Sequence, residues 1–141
     1  MTASGQGHTT RVPVLTLGGI LLVTVQGELH DGTAEQLQHD IARRIAHSPV
    51  TGVVIDLSGV DVVDSFLGRV LAEIASSARL MTARTVLAGI RPAVAITLVE
   101  LGLGLPGLVT ALDVEQALSL LGHGRATDPP HIRRAHYADL S

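Results

Sequence analysis

GVVIDLSGVDVVDSFLGRVL, residues 52–71, changes period half-way along its length. Gly52 to Leu57 is an apolar run of strand length, rich in β-branched residues. From Ser65 the period becomes helical: Leu67, Val70, Leu71, Ile74 and Ala78 recur at core spacing, to about Met81. A strand that passes within a few residues into a helix is the unit from which parallel sheets are built. Asp64-Ser65 stands at the junction, where either side chain can accept a backbone N–H and cap the helix.

Working outward, the same alternation repeats. On the N-terminal side Val12 to Leu17 reads as a strand, and Pro13 pushes it towards a sheet edge or a strand start. Gly18-Gly19 is a two-residue hairpin signal, since both glycines accept positive φ. Ile20 to Gln26 returns as a strand apolar enough to be covered on both faces. A turn over residues 27–32 follows, with Asp31 or Thr33 as cap for a helix that puts Ala34, Leu37, Ile41 and Ile45 on one face. Pro49 lies just beyond its end.

On the C-terminal side Thr85 to Ala88 is a further strand. Pro92 suits the first turn of a helix running to about Leu101. Leu108-Val109 is a short strand candidate, and Asp113 with Gln116 three residues on resembles a capping box opening a last helix to Leu121. The order is β-β-α-β-α-β-α-β-α. It predicts an α/β fold: a mostly parallel sheet of four to five strands, one antiparallel N-terminal hairpin strand, and about four helices. Residues 1–10 are expected to be a disordered lead, 11–121 one domain, and 122–141 a flexible tail stiffened locally by Pro129-Pro130. A length of 141 residues suits one domain with one core.

Composition narrows the function. Aromatic residues are 1% of the chain, Phe66 and Tyr137 being the only Phe and Tyr, so the interior is aliphatic. Base stacking on aromatic platforms is therefore excluded as a main mode of recognition. A net charge of −3 without a dense Lys/Arg patch argues against a phosphate-backbone binder, so no nucleic-acid partner is expected. The chain has no cysteine, which removes thiolate catalysis, disulfides and Cys-based zinc sites and is compatible with a reducing cytoplasm. No run of about eighteen apolar residues is uninterrupted, and the polar start MTASGQGHTT lacks a signal core, so neither membrane insertion nor export is expected.

Three kinds of site chemistry can be weighed. A serine hydrolase presents its nucleophile in G-x-S-x-G, whereas the run here is V-D-S-F-L-G, and only His30 lies in a turn from which a base could approach Ser65. No H-x-x-x-H or H-E-x-x-H pair exists, so no metal site is expected. Gly102-Leu103-Gly104 lacks both the third glycine of a dinucleotide fingerprint and the Gly-Lys-Ser/Thr of a phosphate loop, which leaves a helix C-cap and turn and no cofactor. Ser65 remains, either as part of a capped helix start or as a hydroxyl whose phosphate would meet the positive end of the helix macrodipole. The two are compatible.

The element order, GVVIDLSGVDVVDSFLGRVL and the later TVLAGIRPAVAITLVELGL together resemble the STAS domain of bacterial anti-sigma-factor antagonists, over about residues 11–121. Within that family the likeness is greatest to the small single-domain antagonists of the stressosome. The resemblance implies a non-enzymatic protein that holds a switch serine/threonine kinase in a multi-subunit cytoplasmic complex and releases it when phosphorylated. It implies larger STAS co-antagonists as companions, and homo-oligomer contacts. It places Ser65 on the phosphorylated serine and Asp64 on its acidic neighbour, and implies a switch surface of Asp31, Asp64, Ser65 and Phe66. Related proteins often carry a second phosphoacceptor threonine where this chain has Ala88, so no second site is expected there. The alternatives are a hydrolase or ligand-binding enzyme with Ser65 as nucleophile, and a purely structural scaffold.

Overall fold

The computed structural model describes residues 12–27, 29–100 and 108–122. The expected lead at 1–10, and all of the expected tail except Gly122, lie outside the described residues, as does the Gly102-Leu103-Gly104 turn. Among the described residues five strands and four helices alternate: β1 (Val14–Leu17), β2 (Ile20–Gln26), α1 (Asp31–His47), β3 (Gly52–Gly59), α2 (Ser65–Leu80), β4 (Arg84–Ala88), α3 (Pro92–Glu100), β5 (Leu108–Ala111) and α4 (Val114–Leu120). The expected α/β architecture is the observed one.

The strands lie in chain order, β1-β2-β3-β4-β5. β1 pairs antiparallel with β2, and every later pairing is parallel. The hairpin turns on Gly18, which takes the left-handed φ of +59°; of the two glycines only Gly18 uses that freedom. Pro13 precedes the edge strand, where a missing N–H removes no ladder bond. Arg44 ties α1 to that edge by donating to the Val14 carbonyl at 3.0 Å and the Thr16 hydroxyl at 3.2 Å.

Strand period divides the core in two. Leu21, Val23 and Val25 of β2, with Val53, Ile55 and Leu57 of β3, meet the apolar stripes of α1, α2 and α3. The alternate residues Ile20, Val54, Val86, Ala88 and Ala111 face the other way, where Ala117 of α4 covers them. The placement of the helices follows from the strand order. Each crossover advances the sheet by one strand in the same direction, and right-handed crossovers of that kind put their helices on one face. α4 follows the last strand, makes no crossover, and closes the opposite face. All parallel strands therefore end on one side of the sheet, where the loops leading into α1, α2, α3 and α4 gather.

Candidate functional site

The loop between β3 and α2 is pinned by two side chains. Val60 and Val63 are buried in the core, while Asp61 and Val62 between them are turned outward, Val62 with 77% of its surface exposed. Anchoring Val63 leaves the chain extended at Asp64, with φ −98° and ψ 177°, before the helix begins. Asp64 Oδ1 accepts the Leu67 backbone N–H at 2.8 Å and so caps α2. Ser65 is the first helical residue and is exposed. Of the two cap candidates in the sequence, Asp64 fills the role, and the Ser65 hydroxyl takes no part in it.

Phe66 is half-buried, packed against the larger core cluster. The Arg69 guanidinium lies 6.0 Å from the centre of its ring. Phe66 and Asp64 line one side of a shallow depression of about 550 Å³, opposite Leu29, His30 and Asp31 from the loop between β2 and α1. The structure thus brings Asp31, Asp64 and Phe66 around one hollow at the carboxyl ends of β2 and β3. Ser65 sits between two of its lining residues in the chain without lining it.

Asp31 and Thr33 do not cap α1. The helix begins at Asp31 itself, His30 is the residue before it, and no side chain there makes a capping bond. The Ala34 N–H is instead received by the His30 backbone carbonyl at 2.8 Å. This frees the exposed Asp31 side chain for the wall of the depression, where its charge also favours the start of the helix.

Two residues that the sequence did not single out also shape this end of the sheet. Arg91, in the loop between β4 and α3, is ion-paired with Asp61 and donates to the Ser58 carbonyl at 3.2 Å, latching one strand-to-helix loop to the next. The pairing spans thirty positions of sequence, and no local pattern announces it. Arg69 stands three residues after Phe66, a helical spacing that puts the two side chains together and was readable in advance. Beside the latch, Asp56, Ser58, Gly89, Asp113 and Glu115 line a second open hollow of about 390 Å³. Ala88 is fully buried there, in register with Asp56, and presents no hydroxyl.

Among the described residues, no side chain hydrogen-bonds the Ser65 hydroxyl as a base would, and no group of His, Asp and Glu is placed to hold a metal ion. No described helix is long and apolar enough to cross a membrane.

Comparison with known proteins shows the family. Residues 11–117 match the STAS domain family. The RsbT co-antagonist protein RsbRB of Bacillus subtilis is 31% identical over 108 residues, which are 76% of this chain and 39% of that protein. The chain thus spans about two fifths of the length of that curated relative. A serine-to-glutamate variant of RsbS from Moorella thermoacetica is 41% identical, with a TM-score of 0.72 over 80% of this chain and 96% of that one. A chain from a structure of the stressosome, described there as a signal integration and transduction hub, is 42% identical, with a TM-score of 0.71 over 78% of this chain and 96% of that one.

Proposed function

Since the chain belongs to the STAS-domain family of anti-sigma-factor antagonists and is RsbS-like in structure, we propose that it is a non-enzymatic stressosome component that holds a switch serine/threonine kinase and lets it go when Ser65 is phosphorylated. The kinase transfers the terminal phosphoryl group of ATP to Ser65 Oγ; ADP leaves, and the hydroxyl proton passes to solvent. Asp31, Asp64, Ser65 and Phe66 form the surface that the kinase reads. Larger STAS co-antagonists and further copies of this chain complete the assembly, which is cytoplasmic.

One observation carries this reading: the Ser65 hydroxyl is exposed and is not the cap of α2, because Asp64 is. A phosphate added there breaks no bond of the fold. It brings roughly −1.5 to −2 charges. The helix N-terminus favours such a charge by roughly 0.3–1 kcal/mol, and Asp64 opposes it by a similar amount, screened by solvent and salt. The two nearly cancel against a folding stability of roughly 5–15 kcal/mol, so the domain stays folded. At a partner's surface the balance differs. A partly desolvated charge beside Asp64 costs on the order of 2–5 kcal/mol of binding, and each ~1.4 kcal/mol is tenfold in affinity.

The test is phosphopeptide mapping of the protein from resting and from stressed cells, together with the affinity of Ser65→Ala and Ser65→Asp for the serine kinase that co-purifies with it. Phosphate on Ser65 should rise with stress. Ser65→Ala should hold the kinase without releasing it, and Ser65→Asp should fold normally and bind it at least tenfold more weakly. Equal affinity of wild type and both variants would sink the proposal.

A further inference from the structure

Arg69 has an unusual position. Its guanidinium rests over Phe66 and makes no ion pair among the described residues. The carboxylates nearest to it along the helix are already engaged: Asp64 Oδ1 holds the Leu67 N–H, and Glu73 Oε1 accepts from the Gln38 side-chain amide at 2.9 Å. The other guanidinium at this end of the sheet, Arg91, is bound to Asp61 and the Ser58 carbonyl. Among the described residues at this end of the sheet, Arg69 is therefore the cation left available.

Helical geometry says where it can go. Side chains on a helix lean towards its N-terminus, so Arg69 lies over the turn that holds Phe66 at i−3 and Ser65 at i−4. Its place over the Phe66 ring, 6.0 Å from the ring centre, shows that it already leans that way. A change of rotamer carries the guanidinium from the ring to the space above the Ser65 hydroxyl, at the spacing where oppositely charged helical side chains meet. A phosphate dianion offers it charge-assisted, bidentate hydrogen bonds, which are stronger than an exposed cation–π contact.

We propose that Arg69 is the intrachain partner of the phosphate on Ser65, and that taking up this partner withdraws it from Phe66. This rests on the reading of Ser65 as a phosphoacceptor. It deepens that reading, because the modified surface then differs from the unmodified one in two respects. Part of the new charge is neutralised within the chain, and the Phe66 ring at the rim of the depression loses its cover. Among the described residues, the remaining charged or ionisable groups about the phosphate are the capping carboxylate of Asp64, His30 and Asp31 across the depression, and the Arg91–Asp61 pair, and none of these supplies a second free guanidinium.

The experiment uses the full chain with phosphoserine encoded at position 65, so that it needs no kinase. Phosphorus NMR follows the second ionisation of the phosphate in the wild-type background and in Arg69→Gln and Arg69→Lys. The signals of the chain's single phenylalanine report on Phe66 in the same samples. The phosphate should ionise at a pH lower by about 0.3 unit with Arg69 than with Gln, with most of that difference kept by Lys. Encoding the phosphate should shift the Phe66 ring signals in the Arg69 chain and leave them nearly unmoved in Arg69→Gln. Equal ionisation in Arg69 and Arg69→Gln chains would overturn the proposal. Arg69 is exposed, so these substitutions leave the core intact. Failure of the underlying reading looks different: cells would show no Ser65 phosphate, while the encoded phosphate would still find Arg69.

Discussion

At the scale of single residues, Asp64 does two things with one carboxylate. It caps α2 through Leu67, and it places a negative charge beside Ser65. The two roles separate in a pair of substitutions. Asp64→Ala loses the cap and should cost about 1 kcal/mol, roughly 3–5 °C in melting temperature for a chain of this size. Asp64→Asn caps about as well and should melt close to wild type while removing the charge. If both variants fell equally in a thermal melt, the cap would not be what Asp64 supplies to stability. The sequence narrowed the cap to Asp64 or Ser65 and could go no further, because both residue types serve and the choice depends on the phase of one residue. The same one-residue uncertainty misplaced the start of α1: capping by Asp31 or Thr33 requires the helix to begin after them, and it begins at Asp31.

At the scale of elements, β4 and its exit carry two local tensions. Thr85 is buried with 2% of its surface exposed, and among the described residues its hydroxyl has no hydrogen-bond partner. Thr85→Val keeps the shape and removes the stranded polar group, so it should raise stability by about 1 kcal/mol, measured by denaturant unfolding. A loss of stability would mean that the hydroxyl has a partner after all. Gly89, just past the strand, has φ +71°, and a Cβ there would stand 3.0 Å from that of Ser58 and 3.2 Å from Asp56 Oδ1. Gly89→Ala combines left-handed strain with that crowding and should destabilise by about 1–3 kcal/mol, again read from unfolding midpoints. The existence and kind of each element were legible, since the periods of 2 and 3.6 alternate cleanly and Gly18, Pro92 and Asp113 punctuate them. Details of closure were less so. Gln116 does reach back from the first turn of α4, yet it accepts from the Leu112 N–H at 2.7 Å rather than from Asp113, the residue that caps the helix.

At the scale of the whole molecule, the described helices cover the two faces of the sheet unequally. Three helices close one face, and the seven-residue α4 closes the other over a much smaller cluster. Local opening should therefore start at α4: in native-state hydrogen exchange its amides should exchange faster than those of β3 and α2. The reverse order would contradict the division of the core. Alternating strands and helices announced a parallel sheet, whereas the order of strands within it could not be read, because the same alternation fits sheets wound in one direction or in two. For the site, the Asp64–Phe66 run was visible as a motif, but its meeting with the His30–Asp31 turn and the Arg91 latch depends on that long-range order. The order has a further consequence, at the ribosome. Every strand here lies beside the strand made just before it. The nascent sheet can grow by one strand at a time, and no edge waits for a neighbour encoded far downstream. The exception is the thin face, whose residues Ile20, Val54 and Val86 stay uncovered until α4, the last described helix, has emerged. The emerging chain is then most in need of a chaperone's shelter on the side opposite α2.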